Sequence, residues 1–304
     1  MPIVSIRHLT RYRYRNRVGF GEHRMMLRPL EAFDQRLIDF DLAISPEPST
    51  LLHLHDLTDA CVAVARFEAR ADELRVESRA RLVHTPHAAL DLVTDAAIDA
   101  DGFVYGDDEA PALAPSIRQR HPGEAAAWAR RFLRPVGRTS LATVLRDMTH
   151  AARAGFAYEV RPTGSPQTPG VTLERGRGSC RDFAFLMMEG ARSLGLAARF
   201  VSGYVYSGSP KAAGSSSHGH THAWVRVYLP GCGWADFDPT NGIVGAAGLI
   251  RVAVATDAKM ALPLHGAWRG MRSDFLGMDV EIDIEVEDAA AAQPEPRLRV
   301  AGTG

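Results

Sequence analysis

Cysteine is scarce in this chain, net charge is almost nil, and no apolar run is long. Three cysteines, Cys61, Cys180 and Cys232, make no disulfide framework, which agrees with a reducing compartment. A formal net charge of −1 is close to neutral. The one basic and aromatic stretch, RYRYRNR from Arg11, reads as a strand with Arg on one face and Tyr on the other. No second basic cluster supports nucleic-acid binding. The opening MPIVSIRHLTRYRYRNRV lacks an apolar signal-like core, and nothing approaches membrane-spanning length. Internal repeats are absent. A soluble cytoplasmic protein with no nucleic-acid or membrane partner is expected.

What is there fits two domains, since 304 residues lie near the size at which chains split. From residue 3 to about 90 the chain reads as short alternating strands, among them DFDLAIS, CVAVARFEA and ELRVESRARLVH. An Asp/Ala/Pro-rich connection follows to about 120. Helical patterns come next: EAAAWARRFL after Pro122-Gly123, and a helix from Ser140 to about Ala154 with Leu141, Val144, Leu145 and Met148 as its stripe. Lys211 to His220 reads as a Gly/Ser-rich loop. MDVEIDIEVE, residues 278–287, alternates strictly and predicts a half-exposed strand of the C-terminal sheet. The expected division is a β-rich domain at 1–110, a second domain at 111–287, and a mobile tail at 288–304.

Cys180 stands where the glycine-rich GRGS turns into an apolar helix. Phe183, Leu186, Met187, Gly190, Ala191 and Leu194 recur at helical spacing as one buried stripe, and Gly195 ends the pattern. The cysteine therefore falls in the first turn. Helix N-termini carry partial positive charge and free N–H groups, which favour a thiolate and a developing oxyanion. Most free cysteines are simply small buried hydrophobes, so the position alone decides little.

Its partners come some forty residues later. In HAWVRVYL, Ala223, Val225, Val227 and Leu229 alternate with His222, Trp224, Arg226 and Tyr228, which reads as a two-faced strand. WADFD repeats the alternation, with Trp234, Asp236 and Asp238 on one face. Pro230, Gly231 and Gly233 mark a hairpin between the two. A loop of Leu229 to Gly231 pairs 222 with 238. A loop of Pro230 to Gly233 puts Asp238 opposite Val225. The pattern permits both, with a bulge at Cys232 or Gly233 as a further adjustment, and Asp236 competes as the carboxylate. A thiol, an imidazole and a carboxylate are the three groups that nucleophilic acyl transfer requires.

Other candidates weigh less. His218, His220 and His222 alternate in SHGHTHAW and suggest a Zn²⁺ or Ni²⁺ site, but no Cys or carboxylate completes a ligand set, so no metal and no cofactor are expected. Asp182 is expected to serve the positive helix end rather than the chemistry. Cys232 reads as a tolerated small residue in a turn. Trp224 shares the face of His222, either shielding the imidazole or lining the acyl groove, or simply filling the core.

The segment from about Pro169 to Gly242 resembles the catalytic core of the transglutaminase-like superfamily, in its bacterial branch. The matching pieces are GRGSCRDFAFLMM, LGLAARFVSGYV, HAWVRVYLPGCGW and DFDPTNG. VSIRH and TRYRYRNRVGFGEHRMMLRP resemble the β-rich domain that often precedes that core, although Thr58-Asp59 stands where a Gly-Asn turn is expected. The resemblance implies a triad of Cys180, His222 and Asp238, choosing Asp238 over Asp236. It implies an α+β, papain-like fold in which the Cys helix packs on an antiparallel sheet, preceded by a β-rich N-terminal domain. It implies a thiol-dependent acyl transferase acting on a peptide or protein substrate. Hydrolysis as a cysteine peptidase or amidase is expected ahead of amine transfer as a transglutaminase, and ahead of a non-catalytic scaffold role.

Overall fold

A computed structural model describes residues 2–85, 94–161, 164–206, 217–218 and 220–287. Most of the predicted loop at 211–220 and the whole predicted tail at 288–304 lie outside the described residues. The N-terminal half is built on β1 (Ile3–Met25), a strand of 23 residues where short strands are predicted. It grows so long because it serves two sets of partners. β2 (Gln35–Ser45), β3 (Thr50–His55), β4 (Cys61–Arg66) and β5 (Arg70–His84) follow. The first half of β1 pairs with β5, which in turn pairs with β2. Its second half pairs with β4, which pairs with β3. The register with β5 shifts between Arg13 and Val18, and pairing with β4 begins at His23. Tyr14, Val18, Phe20, Leu74, Val76, Ala63 and Ala65 form the buried cluster between these arms.

The turn before β4 lacks glycine yet closes. Asp59 takes φ 59°, and the Asp56 carboxylate accepts from Thr58 N, Thr58 Oγ1 and Ala60 N. A local Asx-type network thus replaces the expected Gly-Asn geometry.

Two short two-residue ladders frame the next segment. β6 (Ala97–Ile98) pairs with β7 (Thr139–Ser140), and β8 (Ala157–Tyr158) pairs in parallel with β9 (Arg177–Gly178). The predicted connection holds a helix, α1 (Ala110–Ile117), which begins with Pro at its first turn. α2 (Ala126–Arg130) is shorter than the predicted EAAAWARRFL helix. α3 (Leu141–Gly155) forms as expected, burying Leu141, Val144, Leu145 and Met148, and α4 (Pro169–Arg175) is capped by Thr168.

α5 (Cys180–Ser193) starts at the cysteine, and Gly195 follows its end. The predicted single stripe is too narrow. Every residue from Asp182 to Arg192 is buried, because sheet and helices enclose α5 on all sides. The sheet beside it runs β14 (Ile243–Val244), β13 (Gly233–Asp238), β12 (His220–Leu229), β10 (Ala198–Val205), β15 (Leu249–Ala255). Ala223, Val225, Val227 and Leu229 of β12 join Ala184, Leu186 and Met187 of α5 in one core. This helix-on-antiparallel-sheet arrangement is the expected α+β, papain-like layout.

One assignment is corrected. Residues 278–287 do not join the C-terminal sheet. They belong to β17 (Phe275–Glu287), which pairs with β1 from Ile3↔Glu287 to Tyr14↔Phe275. β11 (Ser217–His218) pairs with β17, and β16 (Leu264–Arg269) pairs with β1. Only Ile282 and Ile284 of the five expected inward residues are buried. Val280 is 44% exposed. Among the described residues, no helix is long and apolar enough to cross a membrane.

Candidate active site

The thiol is positioned by the sequence just before it. Ser179 is the N-cap, and its N–H and hydroxyl both donate to Asp182 Oδ2, at 2.7 and 2.9 Å. Gly178 must lack a side chain, since a Cβ there would lie 2.8 Å from Asp182 Cβ. Cys180 itself is half-buried and takes the first helical position, where backbone N–H groups have no intrahelical acceptor.

Asp182 has the structural role expected for it, and a larger one. It is fully buried and accepts from Arg161 Nη1 at 2.8 and 2.7 Å, from Gln167 N at 2.7 Å and from Gln167 Nε2 at 3.0 Å. Burial works against its charge, but these donors win and hold its carboxyl below the usual carboxylate range. The carboxylate therefore ties the segment around Arg161 to Gln167 onto the start of the Cys180 helix.

His222 lies at the start of β12 and is buried. Its Nε2 sits 2.8 Å from Asp238 Oδ2. The strand register achieving this differs from both alternatives read in the sequence. Leu229 pairs with Gly233 and Val225 with Phe237, so the loop is Pro230 to Cys232. By that register Asp238 falls across from Trp224, and His222 meets it on the diagonal of the same face.

Asp238 is completely buried and its oxygens are all occupied. Oδ1 accepts from Thr240 N (2.9 Å) and Asn241 N (3.2 Å), and Oδ2 also accepts from Asn241 Nδ2 (2.7 Å). Burial raises the cost of its charge. The bonds to His222, Asn241 and Thr240 more than offset this and keep the carboxyl below its ordinary value. Asp236 plays no part at the imidazole. It accepts from Trp224 Nε1 at 2.8 Å and faces Arg251 Nη1 at 3.4 Å.

Cys180 lies beside the imidazole, close enough for the sulfur to raise the ring's pKa. With Nε2 committed to Asp238, Nδ1 is the nitrogen left for the sulfur. Burial pushes the imidazole pKa down. The bond to Asp238 and the nearby Asp238 and Cys180 groups push it up further, to about 10. The ring is thereby held as imidazolium beside the sulfur. Trp224, wholly buried, stacks on it with centroids 6.0 Å apart.

Two neighbours were not singled out in the sequence. Tyr158 lies near Cys180, close enough for the sulfur to raise its pKa, and β8 to β9 pairing brings it there. Burial, then the nearby charges of Cys180 and Asp238, raise its pKa, so it remains a donor at neutral pH. Asn241, in the DPTNG segment, braces Asp238. The second had a signal in its place just beyond Asp238. The first had none, because its two-residue strand pairs with residues about twenty positions away. The three predicted histidines do not form one strand. His218 pairs its backbone with Asp283 of β17, while His220 and His222 begin β12. No group of three or more His, Cys, Asp or Glu that could hold a metal is found among the described residues. Cys232 lies in the β12 to β13 turn, its N–H bonded to Leu229 O.

Two known families match separate stretches of the chain. The transglutaminase-like superfamily matches residues 127–239, and the bacterial transglutaminase-like N-terminal region matches residues 4–83. The chain has a transglutaminase-like core behind a bacterial transglutaminase-like N-terminal region. An uncharacterised protein of Mycobacterium leprae is 34% identical over 131 residues, which cover 43% of this chain and 46% of that one. The match thus spans about half the length of that relative. An uncharacterised protein of Mycobacterium tuberculosis is 26% identical over 288 residues, covering 86% of each. Among solved structures, a proposed cysteine protease from Cytophaga hutchinsonii superposes with a TM-score of 0.67 at 17% identity, over 94% of this chain and 98% of that one. That likeness supports the fold of the transglutaminase-like core and its N-terminal region together.

Proposed function

We propose that the chain is a thiol-dependent acyl-transfer enzyme that hydrolyses amide or peptide bonds, with Cys180, His222 and Asp238 as its catalytic groups. The observation that carries this is a helix-end thiol beside a buried imidazole that is itself bonded to a buried, fully bonded carboxylate. Sulfur attacks the carbonyl carbon, and the C=O electron pair moves onto oxygen. The Cys180 N–H and the Tyr158 hydroxyl are the donors available to that oxyanion. As the C–N bond breaks, the His222 imidazolium gives its proton to the leaving amine, and a thioester remains on Cys180. The now neutral imidazole removes a proton from water, whose oxygen attacks the thioester. Carboxylic acid leaves, and the thiolate–imidazolium pair is restored. Asp238 keeps Nε2 bonded throughout and takes no proton.

Water is the acceptor this reading favours. Tyr158, 57% exposed, lies near the thiol, which is itself only half-buried and so open to solvent. Amine transfer needs water kept out at the thioester stage. The three cysteines are free thiols, which suits a cytoplasmic location.

The test is product analysis. Wild type and Cys180→Ala are incubated with a peptide mixture, with and without an added primary amine, and products are read by mass spectrometry. New carboxyl termini or deamidated side chains from wild type alone support hydrolysis. Amine adducts at the expense of acids would make it a transglutaminase. Equal product from Cys180→Ala would remove the thiol mechanism.

A further inference from the structure

Arg251 of β15, Gly203 of β10 and His222 of β12 form one row across three paired strands. Opposed residues share a face, so Arg251 and His222 project to the same side with no side chain between them. Trp224 fills that gap. A Cβ on residue 203 would run into Ile250 O and lie 2.8 Å from Trp224 Cη2, so the glycine admits both the neighbouring strand and the indole across the row. The indole is then fixed at both ends. Its ring stacks on His222, and its N–H donates to Asp236 at 2.8 Å. Asp236 in turn faces Arg251 Nη1 at 3.4 Å.

Arg251 is not anchored by its own domain alone. Its Nη2 donates to Asp34, which belongs to the N-terminal half. Gln35 grips the same residue by its backbone: Nε2 donates to Arg251 O at 2.7 Å, and Oε1 accepts from Arg251 N at 2.9 Å. Leu30 N adds a bond to Arg251 O at 2.9 Å. Asp34, Arg251 and Asp236 are all at least nine-tenths buried. A buried charge trio of this kind contributes little net stability against an apolar replacement, while fixing geometry is a use to which such groups are put.

We propose that the N-terminal domain positions the catalytic imidazole, with Asp34 acting through Arg251, Asp236 and Trp224 on His222. This rests on the reading of His222 as the partner of the Cys180 thiolate. Asp34, Arg251, Asp236 and Trp224 are positioning residues. None touches the reacting atoms. With Asp34 neutralised, Arg251 loses one of its two anions, and Asp236, which also faces Arg226 Nε at 3.4 Å, is no longer held toward Arg251 by an anchored guanidinium. The indole N–H then has a mobile acceptor, and the imidazole slips from its stack. Misplacement on the ångström scale is enough to slow the chemistry greatly.

The experiment is the pH profile of iodoacetamide modification at Cys180, resolved by site, on the full chain. Four proteins are compared with wild type: Asp34→Asn, Trp224→Phe, the double variant, and Tyr206→Phe. The last cuts another bond between the two halves, the 2.7 Å contact of Tyr206 with His84. Asp34→Asn and Trp224→Phe should each slow the reaction near pH 6 by on the order of tenfold and move the profile to higher pH. The double variant should be no slower than the slower single one, since both cut one series. Tyr206→Phe should keep the wild-type profile even where its melting temperature falls. If wild-type Cys180 is not hyper-reactive, the thiol reading and this inference fall together. If it is, and Asp34→Asn matches wild type, or the two effects multiply, or Tyr206→Phe shifts the profile equally, the positioning role alone is overturned.

Discussion

His222 and Asp238 meet on a strand diagonal, 2.8 Å apart, with no directly opposed pair between them. A diagonal contact needs the imidazole to lean along its strand, and the stacked Trp224 and the bracing Asn241 supply the walls. Asp238→Asn preserves shape but can no longer stabilise an imidazolium or select its tautomer. Turnover should fall by up to about 10⁴-fold with little change in KM. Steady-state kinetics on the substrate found by product analysis checks this. Loss below tenfold would mean the carboxylate is not part of the chemistry.

Tyr158→Phe removes one hydroxyl from an exposed ring, so folding should be unaffected. If that hydroxyl serves the oxyanion, kcat should drop about 10²-fold while KM stays near wild type, as for the loss of one oxyanion donor. Unchanged kcat would leave the Cys180 N–H and other backbone groups as the whole oxyanion site.

Asp182→Ala strands Arg161 and Gln167 and removes the acceptor of the Ser179 N–H at the start of α5. Breaking a buried pair from one side costs about 3–5 kcal/mol. Urea denaturation should show a loss in that range, with Cys180 less reactive in the surviving folded fraction. A loss under about 1 kcal/mol, the scale of a surface pair, would contradict the bonding described.

Acid should weaken the seam between the N-terminal strands and β10. His8 bonds to Tyr204 at 2.9 Å and His84 to Tyr206 at 2.7 Å, both buried. Burial lowers both pKa values to about 4 from 6.5. Between those values the unfolded chain binds more protons than the folded one, so stability falls as pH drops from about 6.5 toward 4. His222 runs the other way: its pKa is raised, so its contribution is complete below 6.5 and is lost as pH rises through about 10. Melting temperatures at pH 5 and 7.5 should differ more for wild type than for the His8→Asn, His84→Asn double variant. Equal slopes would place the acid response elsewhere.

The Cys180 helix was legible because its signals are local: the glycine-rich GRGS before it, the apolar spacing after it, and Gly195 at the end. The alternation of HAWVRVYL and WADFD likewise gave both strands. Choosing Asp238 over Asp236 needed the family resemblance, because the hairpin composition admits several loops and each shifts the register. The Pro230 to Cys232 loop is one that neither alternative included. Tyr158 and the Asp34 to Trp224 series stayed hidden for another reason. They depend on pairings between distant segments, such as Asp34 with Arg251, that no local pattern encodes. The same holds for β17, whose clean alternation identified a strand but not the sheet that received it.

The most direct measurement is the alkylation of Cys180 as a function of pH, in wild type and in His222→Ala. A thiol paired with an imidazolium at a helix end stays reactive in mild acid, where an ordinary thiol does not. Wild-type Cys180 should react fast at about pH 6, with Cys61 and Cys232 far slower there, and His222→Ala should abolish that advantage. If Cys180 reacts no faster than the other two at that pH, and His222→Ala leaves its profile unchanged, the thiolate–imidazolium pair is absent and the enzyme reading is contradicted.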